Sequence, residues 1–281
     1  MNPILAIIQR NLLNYVRNKG QLLGSLFMSF FMLIMFSFLM KTTMKTLDQP
    51  MNYLLAGVII MTVFQTAINH SSEILSDIAG GYMKEVMVAP ISRSQIAIGN
   101  ILAGAFVSTL QGIIMMVLSF FLGLHVSVLQ FILMAAVMLI AAITFSAIGL
   151  FLATVCRNSP AFQTVSSMVM MPLTFVSGAY IPTTIIPGFL LPIVYLNPLT
   201  YTTSIFRWIA LDAFKMSTAE LLKQGMAFSI NGFVITPILG LLITIAIGAV
   251  FFALCVRKFS QADFSTVKIA TTMRGGGAPK K

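Results

Sequence analysis

The sequence predicts an all-α integral membrane protein with six transmembrane helices, and three observations carry that expectation. Of 281 residues, 58% are hydrophobic and 9% charged, where a soluble domain carries roughly 25% charged residues. The mean hydropathy of +0.96 excludes a disordered chain, which needs low hydrophobicity. The few charges also leave long uncharged runs between them, as spans of about 20 residues require.

The N-terminal residues 3–19 place Ile4, Ile8, Leu12, Tyr15 and Val16 on one helical face, with Arg10, Asn14 and Arg17 opposite. This pattern reads as an interfacial helix on the cytoplasmic side, or as a plain basic anchor that fixes orientation. Residues 20–40, between Lys19 and Lys41, form the first run of 21, and no small-x-small cleavage site follows it, so no cleaved signal peptide is expected. A second run of 24 covers residues 49–72. The 63 uncharged residues from Ser94 to Cys156 leave room for two spans, with the turn supplied by Phe121-Leu-Gly-Leu-His-Val-Ser127. The 49 residues 158–206 hold one span and then a segment broken by Pro182, Pro187, Pro192 and Pro198 with Gly178 and Gly188. Such punctuation suits short helices that dip into the membrane or lie on it. The last run, 224–256, ends in the sixth span.

The expected spans are therefore about 21–40, 52–71, 96–122, 129–155, 161–179 and 233–256, within one transmembrane domain, 1–270. Residues 73–93 form a cytoplasmic loop, 180–230 an extracytoplasmic or re-entrant segment, and 271–281 a disordered basic tail. With six spans and both termini cytoplasmic, twelve basic residues lie inside and five outside, the latter being Lys41, Lys45, Arg207, Lys215 and Lys223. A seventh span would move the basic tail outside, against the positive-inside tendency. The net charge of +10 thus reports orientation, and no nucleic-acid partner is expected.

Candidate chemistry is sparse. No Gly-x-x-x-x-Gly-Lys-Ser/Thr phosphate loop occurs, so the chain has no nucleotide motif of its own. No metal-ligand cluster is expected, and Cys156 and Cys255 read as reduced packing residues. No charge lies well inside a predicted span, which counts against an ion-coupled carrier or a membrane metalloenzyme. Gln65, Asn69, Gln111, Gln163 and Ser166 are candidates for a translocation path or for helix-to-helix hydrogen bonds. Two small-residue stripes, Gly104/Ser108/Gly112 and Gly240/Thr244/Gly248, suit close helix contact within a subunit or between subunits. The loop 73–93 carries both signs of charge and reads as an amphipathic helix broken at Gly80-Gly81 and stopped before Pro90. It is either a docking knob, with Tyr82, Met83, Val86 and Met87 filling a partner's groove, or a solvated connector.

Three motifs carry a family resemblance: Gly81-x-x-Lys84-Glu85-Val-Met-Val-Ala-Pro90-Ile-Ser-Arg93-Ser-Gln, Ser177-Gly-Ala-Tyr-Ile-Pro182 and Tyr195-Leu-Asn-Pro-Leu-Thr-Tyr201. Read together, they make the chain resemble the membrane subunit of ABC type-2 exporters, over nearly its whole length. The resemblance implies a half-transporter that pairs with a second copy or a paralogue among membrane lipids. Two separate ATPase subunits would bind ATP-Mg, with no cofactor on this chain. It implies a coupling helix at Gly81, Lys84, Glu85, Pro90 and Arg93, and re-entrant outer helices at Gly178, Pro182, Pro187, Asn197 and Pro198. It further implies a bacterial cell membrane and an amphipathic cargo such as a drug, antibiotic, lipid or glycan-like compound. The paired Gly80-Gly81 departs from the family pattern, in which a charged residue often precedes a single glycine. From the residues alone, an ion-driven or passive transporter acting without an ATPase is the alternative.

Overall fold

The structure, a computed structural model, describes residues 2–43, 50–88, 91–156, 158–180, 186–230 and 233–261. Of the expected features, the tail 271–281 and the prolines Pro90 and Pro182 lie outside the described residues. The chain is nearly all α-helix. Helices α1 (Pro3–Arg17), α2 (Lys19–Thr43) and α3 (Pro50–His70) are followed by two short ones, α4 (Ser72–Ala79) and α5 (Tyr82–Val88). The long helices α6 (Arg93–Phe120) and α7 (Val128–Val155) form a hairpin, and α8 (Ser159–Val176) follows. Two short helices, α9 (Leu191–Leu196) and α10 (Pro198–Ala210), precede α11 (Thr218–Lys223) and the last long helix, α12 (Pro237–Gln261).

Local chemistry sets the ends of these helices. Ser92 and Ser127 each form a capping box, with Gln95 at the start of α6 and Gln130 at the start of α7. Asn158 caps α8 by accepting from the Ala161 amide at 2.8 Å. Gly225 and the capping box of Ser217 with Glu220 bracket α11; hydrogen bonds from the Ser217 backbone and hydroxyl hold the Glu220 carboxyl below its ordinary range.

By length and composition, four described stretches can cross a membrane: Met51–Ala79, Arg93–Phe120, Val128–Val155 and Pro237–Phe259. A fifth is counted if Gly188–Leu196 and Pro198–Ala210, bent by 83°, are one broken span. The expected spans at 21–40 and 161–179 fall on α2 and α8, outside this set. The described apolar part of α2, Leu22–Met35, is shorter, and Gln163, Thr164, Ser166 and Ser167 make α8 more polar.

Two expectations need correction. The fold is not purely helical, because Phe228–Ile230 (β1) and Phe233–Ile235 (β2) pair as a small antiparallel hairpin. The last helix therefore starts at Pro237, not at residue 233. The β-branched Val234 and Ile235 pair as strand, while Pro237 has the φ suited to a first helical turn and lacks the amide that such a turn would leave unbonded.

The core sits where α3, α6 and α7 meet. Leu54, Leu55, Ile59, Ile60 and Val63 of α3 are buried almost completely, and Phe64 meets Phe145 of α7 edge-on, with ring centroids 4.8 Å apart. Both small-residue stripes are used within this chain: Gly104 approaches Ser146, Gly112 approaches Met138, and Gly248 of α12 lies against Thr144 of α7. On the outer faces of α7 and α12 the exposed residues are apolar, as at Leu129, Ile132, Leu242 and Val250. Helices surrounded by lipid have this polarity. A β-carbon on Gly248 would sit 2.4 Å from Thr144 Oγ1. Gly248→Leu is therefore expected to destabilise the purified protein by about 1–3 kcal/mol in detergent melts, whereas Gly24→Leu, at a position with nothing within 4 Å, leaves the melt unchanged.

Candidate functional site

Helix α3 is buried along most of its length, yet its exposed face is polar. Gln65 and Asn69 are exposed there and Thr66 is half-buried, and with the buried Thr62 they follow the three- and four-residue spacing that aligns side chains on one side of a helix. They line a cavity of about 280 Å³ between α3 and α2, to which α2 contributes Ser25 and Ser29 with Met28 and Met32. Gln111 of α6 and Tyr180 complete the wall. Thr62 donates to the Val58 carbonyl at 2.9 Å and Ser25 to that of Leu22 at 3.0 Å, so these hydroxyls are satisfied within their own helices. The Gln111 side-chain oxygen accepts from the Tyr15 hydroxyl of α1. Among the described residues, none that lines the cavity is charged. It is thus amide, hydroxyl and thioether in character, and suits a partly apolar molecule with hydrogen-bonding groups.

The structure gathers three of the sequence candidates, Gln65, Asn69 and Gln111, at this cavity. The other two stand apart on α8: Gln163 is exposed, and Ser166 is buried, with its hydroxyl donating to the Gln163 carbonyl at 3.2 Å.

The cavity's Tyr180 belongs to the turn that ends α8. Gly178 takes a φ of +81° there, a left-handed conformation that closes helices at low cost only for glycine. The two carbonyls before Tyr180 are held by a residue that the sequence reading left among the outer basic charges. Arg207 of α10 is 1% exposed. Its Nη1 donates to the Gly178 carbonyl at 2.7 Å, Nη2 to that of Ala179 at 2.6 Å, and Nε to that of Tyr53 at 3.1 Å. The guanidinium also stacks on the Tyr53 ring, 3.5 Å from its centroid. Gly57 makes room for this arrangement, since a β-carbon there would lie 2.3 Å from the Ala179 oxygen and 2.9 Å from Arg207 Nη2. The sequence signal was a lone charge in the otherwise uncharged Pro198–Ala210 stretch, one turn from its end; its carbonyl partners have no side-chain signature.

Asn197 joins α8 to α10 at a second point. Its side-chain amide donates to the Leu173 carbonyl at 2.7 Å, and its oxygen accepts from the Leu199 amide at 3.0 Å, which caps α10 at the 83° bend. Pro198 starts α10, and Pro187 precedes the short turn Gly188–Leu190. Of the outer candidates, Gly178 and Asn197 thus meet α10 and α8, respectively, across one junction.

At the opposite end, α4 and α5 are separated at Gly80-Gly81, with Gly81 at a φ of +82°. Arg10 of α1 bridges that break. Both of its terminal nitrogens bind Asp77 of α4 at 2.7 Å, and its guanidinium lies 3.8 Å from the centroid of the Tyr82 ring on α5. The hydrogen bonds that Arg10 donates to the Asp77 carboxylate raise its pKa above its ordinary value, against the opposing effect of burial. Helix α1 follows α6 from Ile7, packed at Gly99, to Tyr15, bonded to Gln111. Its buried face is centred on Asn11 and Tyr15, while Val16, expected on the apolar face, is half exposed. Met83 is 3% exposed and belongs to this chain's own core, which corrects its assignment to a partner's groove; Val86 packs against the same core. Lys84 and Glu85 lie on α5, and Arg93 opens α6.

These contacts generate two expectations. Arg207→Ala leaves three buried carbonyls without their donor and should cost about 3–5 kcal/mol, read as a collapse of the detergent melting temperature; Gly57→Val should act in the same direction. Arg10→Asp and Asp77→Arg should each lower stability by on the order of 1 kcal/mol, and the double exchange should recover most of the loss in a double-mutant cycle.

The chain was compared with known proteins. A family model described as ABC-2 type transporter matches residues 2–211. A transport permease named ycf38 from Cyanophora paradoxa is 25% identical over 240 residues, covering 82% of this chain and 81% of that protein. The ycf38 permease of Porphyra purpurea is 26% identical over 215 residues, 74% of each chain. The inner membrane transport permease YadH of Escherichia coli (strain K12) is 26% identical over 159 residues, 56% of this chain and 62% of YadH. With the family model covering residues 2–211 of 281, this membrane permease belongs to the ABC-2 type transporter family.

Proposed function

We propose that the chain is the membrane half of an ATP-driven exporter for an amphipathic compound. Two copies, or this chain and a paralogue, cross the cell membrane six times each with all termini cytoplasmic, α1 resting at the inner interface. Two separate ATPase subunits bind ATP-Mg and dock on the α4–α5 loop through Lys84, Glu85, Pro90 and Arg93. The outer gate is the segment containing Gly178, Pro182, Pro187, Asn197 and Pro198.

The observation that carries this reading is the polar cavity on the exposed side of an otherwise buried helix. Gln65 and Asn69 would be costly against lipid, and a second permease or a water-filled path relieves that cost. The family membership and the name of YadH, an inner membrane transport permease, support a transport role for the cavity. The absence of charge among the described lining residues favours an external energy source over ion coupling. Nucleotide-driven motion at α5 would pass through Tyr82 and Asp77 to Arg10, along α1, and through Tyr15 to Gln111 in the cavity wall. Such motion changes which state of the path is populated, and the nucleotide supplies the free energy.

The test is co-purification of the permease with its ATPase, followed by ATP-dependent uptake of amphipathic dyes into inverted vesicles. Dependence on ATP and on the ATPase subunit is expected. Uptake without either would favour an ion-driven or passive transporter. Lys84→Glu combined with Glu85→Lys should reduce permease-stimulated ATP hydrolysis on the order of tenfold, the effect of losing about 1.4 kcal/mol of docking energy. Membrane insertion of this variant should stay unchanged.

A further inference from the structure

The exporter reading leaves one feature unused, a buried cation set directly behind the cavity wall. Asp77 pairs with Arg10, and the Glu73 carboxylate lies 3.4 Å from His70 Nδ1. No described carboxylate pairs with Arg207, and Asp212, five positions further on, is exposed. Three backbone carbonyls and one aromatic ring solvate the guanidinium, and they carry no net charge.

Its position is fixed from two sides. Nη2 lies 2.9 Å from where a Gly57 β-carbon would be, and the next residue, Val58, lines the cavity. The same nitrogen holds the Ala179 carbonyl at 2.6 Å, and the next residue, Tyr180, lines the cavity too. The positive charge therefore stands one residue behind the wall on both the α3 side and the α8 side. The peptide that joins Ala179 to Tyr180 is trans, so its N–H points opposite to the carbonyl that faces Arg207. This dipole presents its positive end on the side away from the guanidinium, towards Tyr180. None of the described lining residues carries a negative charge that would cancel the field.

We infer that the cavity selects anionic amphiphiles, compounds with an apolar body and a carboxylate or similar acidic group, and disfavours cationic ones. This deepens the exporter reading and rests on the cavity being the path. A unit charge felt across about 10 Å at an effective dielectric near 20 changes affinity on the order of tenfold. That is enough to rank ligands of equal apolar surface by the sign of their charge.

The permease offers its own reporter, because its one tryptophan, Trp208, adjoins Arg207 in α10. The full chain in phosphatidylcholine nanodiscs is titrated with three dansyl-tagged probes of equal chain length: a fatty carboxylate, its methyl ester and the matching alkylammonium. Saturable energy transfer from Trp208 is read against empty nanodiscs. The carboxylate should half-saturate at a concentration roughly tenfold below the ester, with the ammonium weakest. Arg207→Gln should bring the three within about twofold, and Arg207→Lys should keep their order. Equal binding of all three by the wild-type chain, or an order that survives Arg207→Gln, would overturn the charge selectivity while leaving the cavity as a binding path. Saturable transfer to none of the probes would overturn the path and the selectivity together. The wild-type comparison needs no variant, so it decides the matter even if the Gln substitution prevents assembly.

Discussion

The arrangement depends most on one cation placed where a membrane protein would ordinarily exclude it. Arg207 binds the carbonyls of Tyr53, Gly178 and Ala179, and so ties α3, the end of α8 and α10 to one point. Each of these groups would be expensive alone in a low-dielectric interior: the guanidinium because it is charged, the carbonyls because no helix continues to use them. Together they satisfy one another, and charge-assisted hydrogen bonds are the stronger kind. The consequence is local order exactly where a chain rich in proline and glycine would otherwise lack it. Gly57 is small because two of these groups occupy the space of its missing side chain.

The lower half of the molecule is organised by a second arginine in a different way. Arg10 is partly exposed and has a carboxylate partner, so its electrostatic contribution is modest. Its importance is geometric, because it touches the helices on both sides of the Gly80-Gly81 break. Helix α1 connects that clamp to Gln111 at the cavity. In the proposed exporter, this continuous set of contacts makes α1 a strut between the docking loop and the path, whereas α12 and α7, with apolar outer faces, form the wall against lipid.

Much of the helical framework was legible in the sequence, because the cost of burying charge leaves a mark in every span. The charge-free stretches around α3, α6, α7 and α12 announced themselves in this way, and the Gly80-Gly81 break is visible as two residues with no side chain to hold a helix. The alignment of Gln65 and Asn69 was also readable, as polar residues four positions apart in an apolar run. What escaped the sequence was pairing through the backbone. A carbonyl has no residue type, so nothing marked Gly178, Ala179 and Tyr53 as the partners of Arg207. From the sequence Arg10 falls only on the polar face of an interfacial or anchoring helix, because its ring partner and carboxylate lie more than sixty positions away. The strand at Phe233–Ile235 was absorbed into the last span because a short β-branched run and the start of an apolar helix look alike.

In the proposed exporter, the cavity between α2 and α3 is a path whose exposure is set by a nucleotide-driven partner. Its most direct test is the accessibility of a single cysteine at Gln65, in a background where Cys156 and Cys255 are replaced by serine. The complex with its ATPase is reconstituted in vesicles and treated with a membrane-impermeant thiol reagent, added to one side at a time. Labelling is expected from the ATPase side in the absence of nucleotide, with a shift towards the opposite side when a non-hydrolysable ATP analogue is bound. Labelling that does not respond to the nucleotide, or a cysteine unreachable from either side in both states, would contradict it.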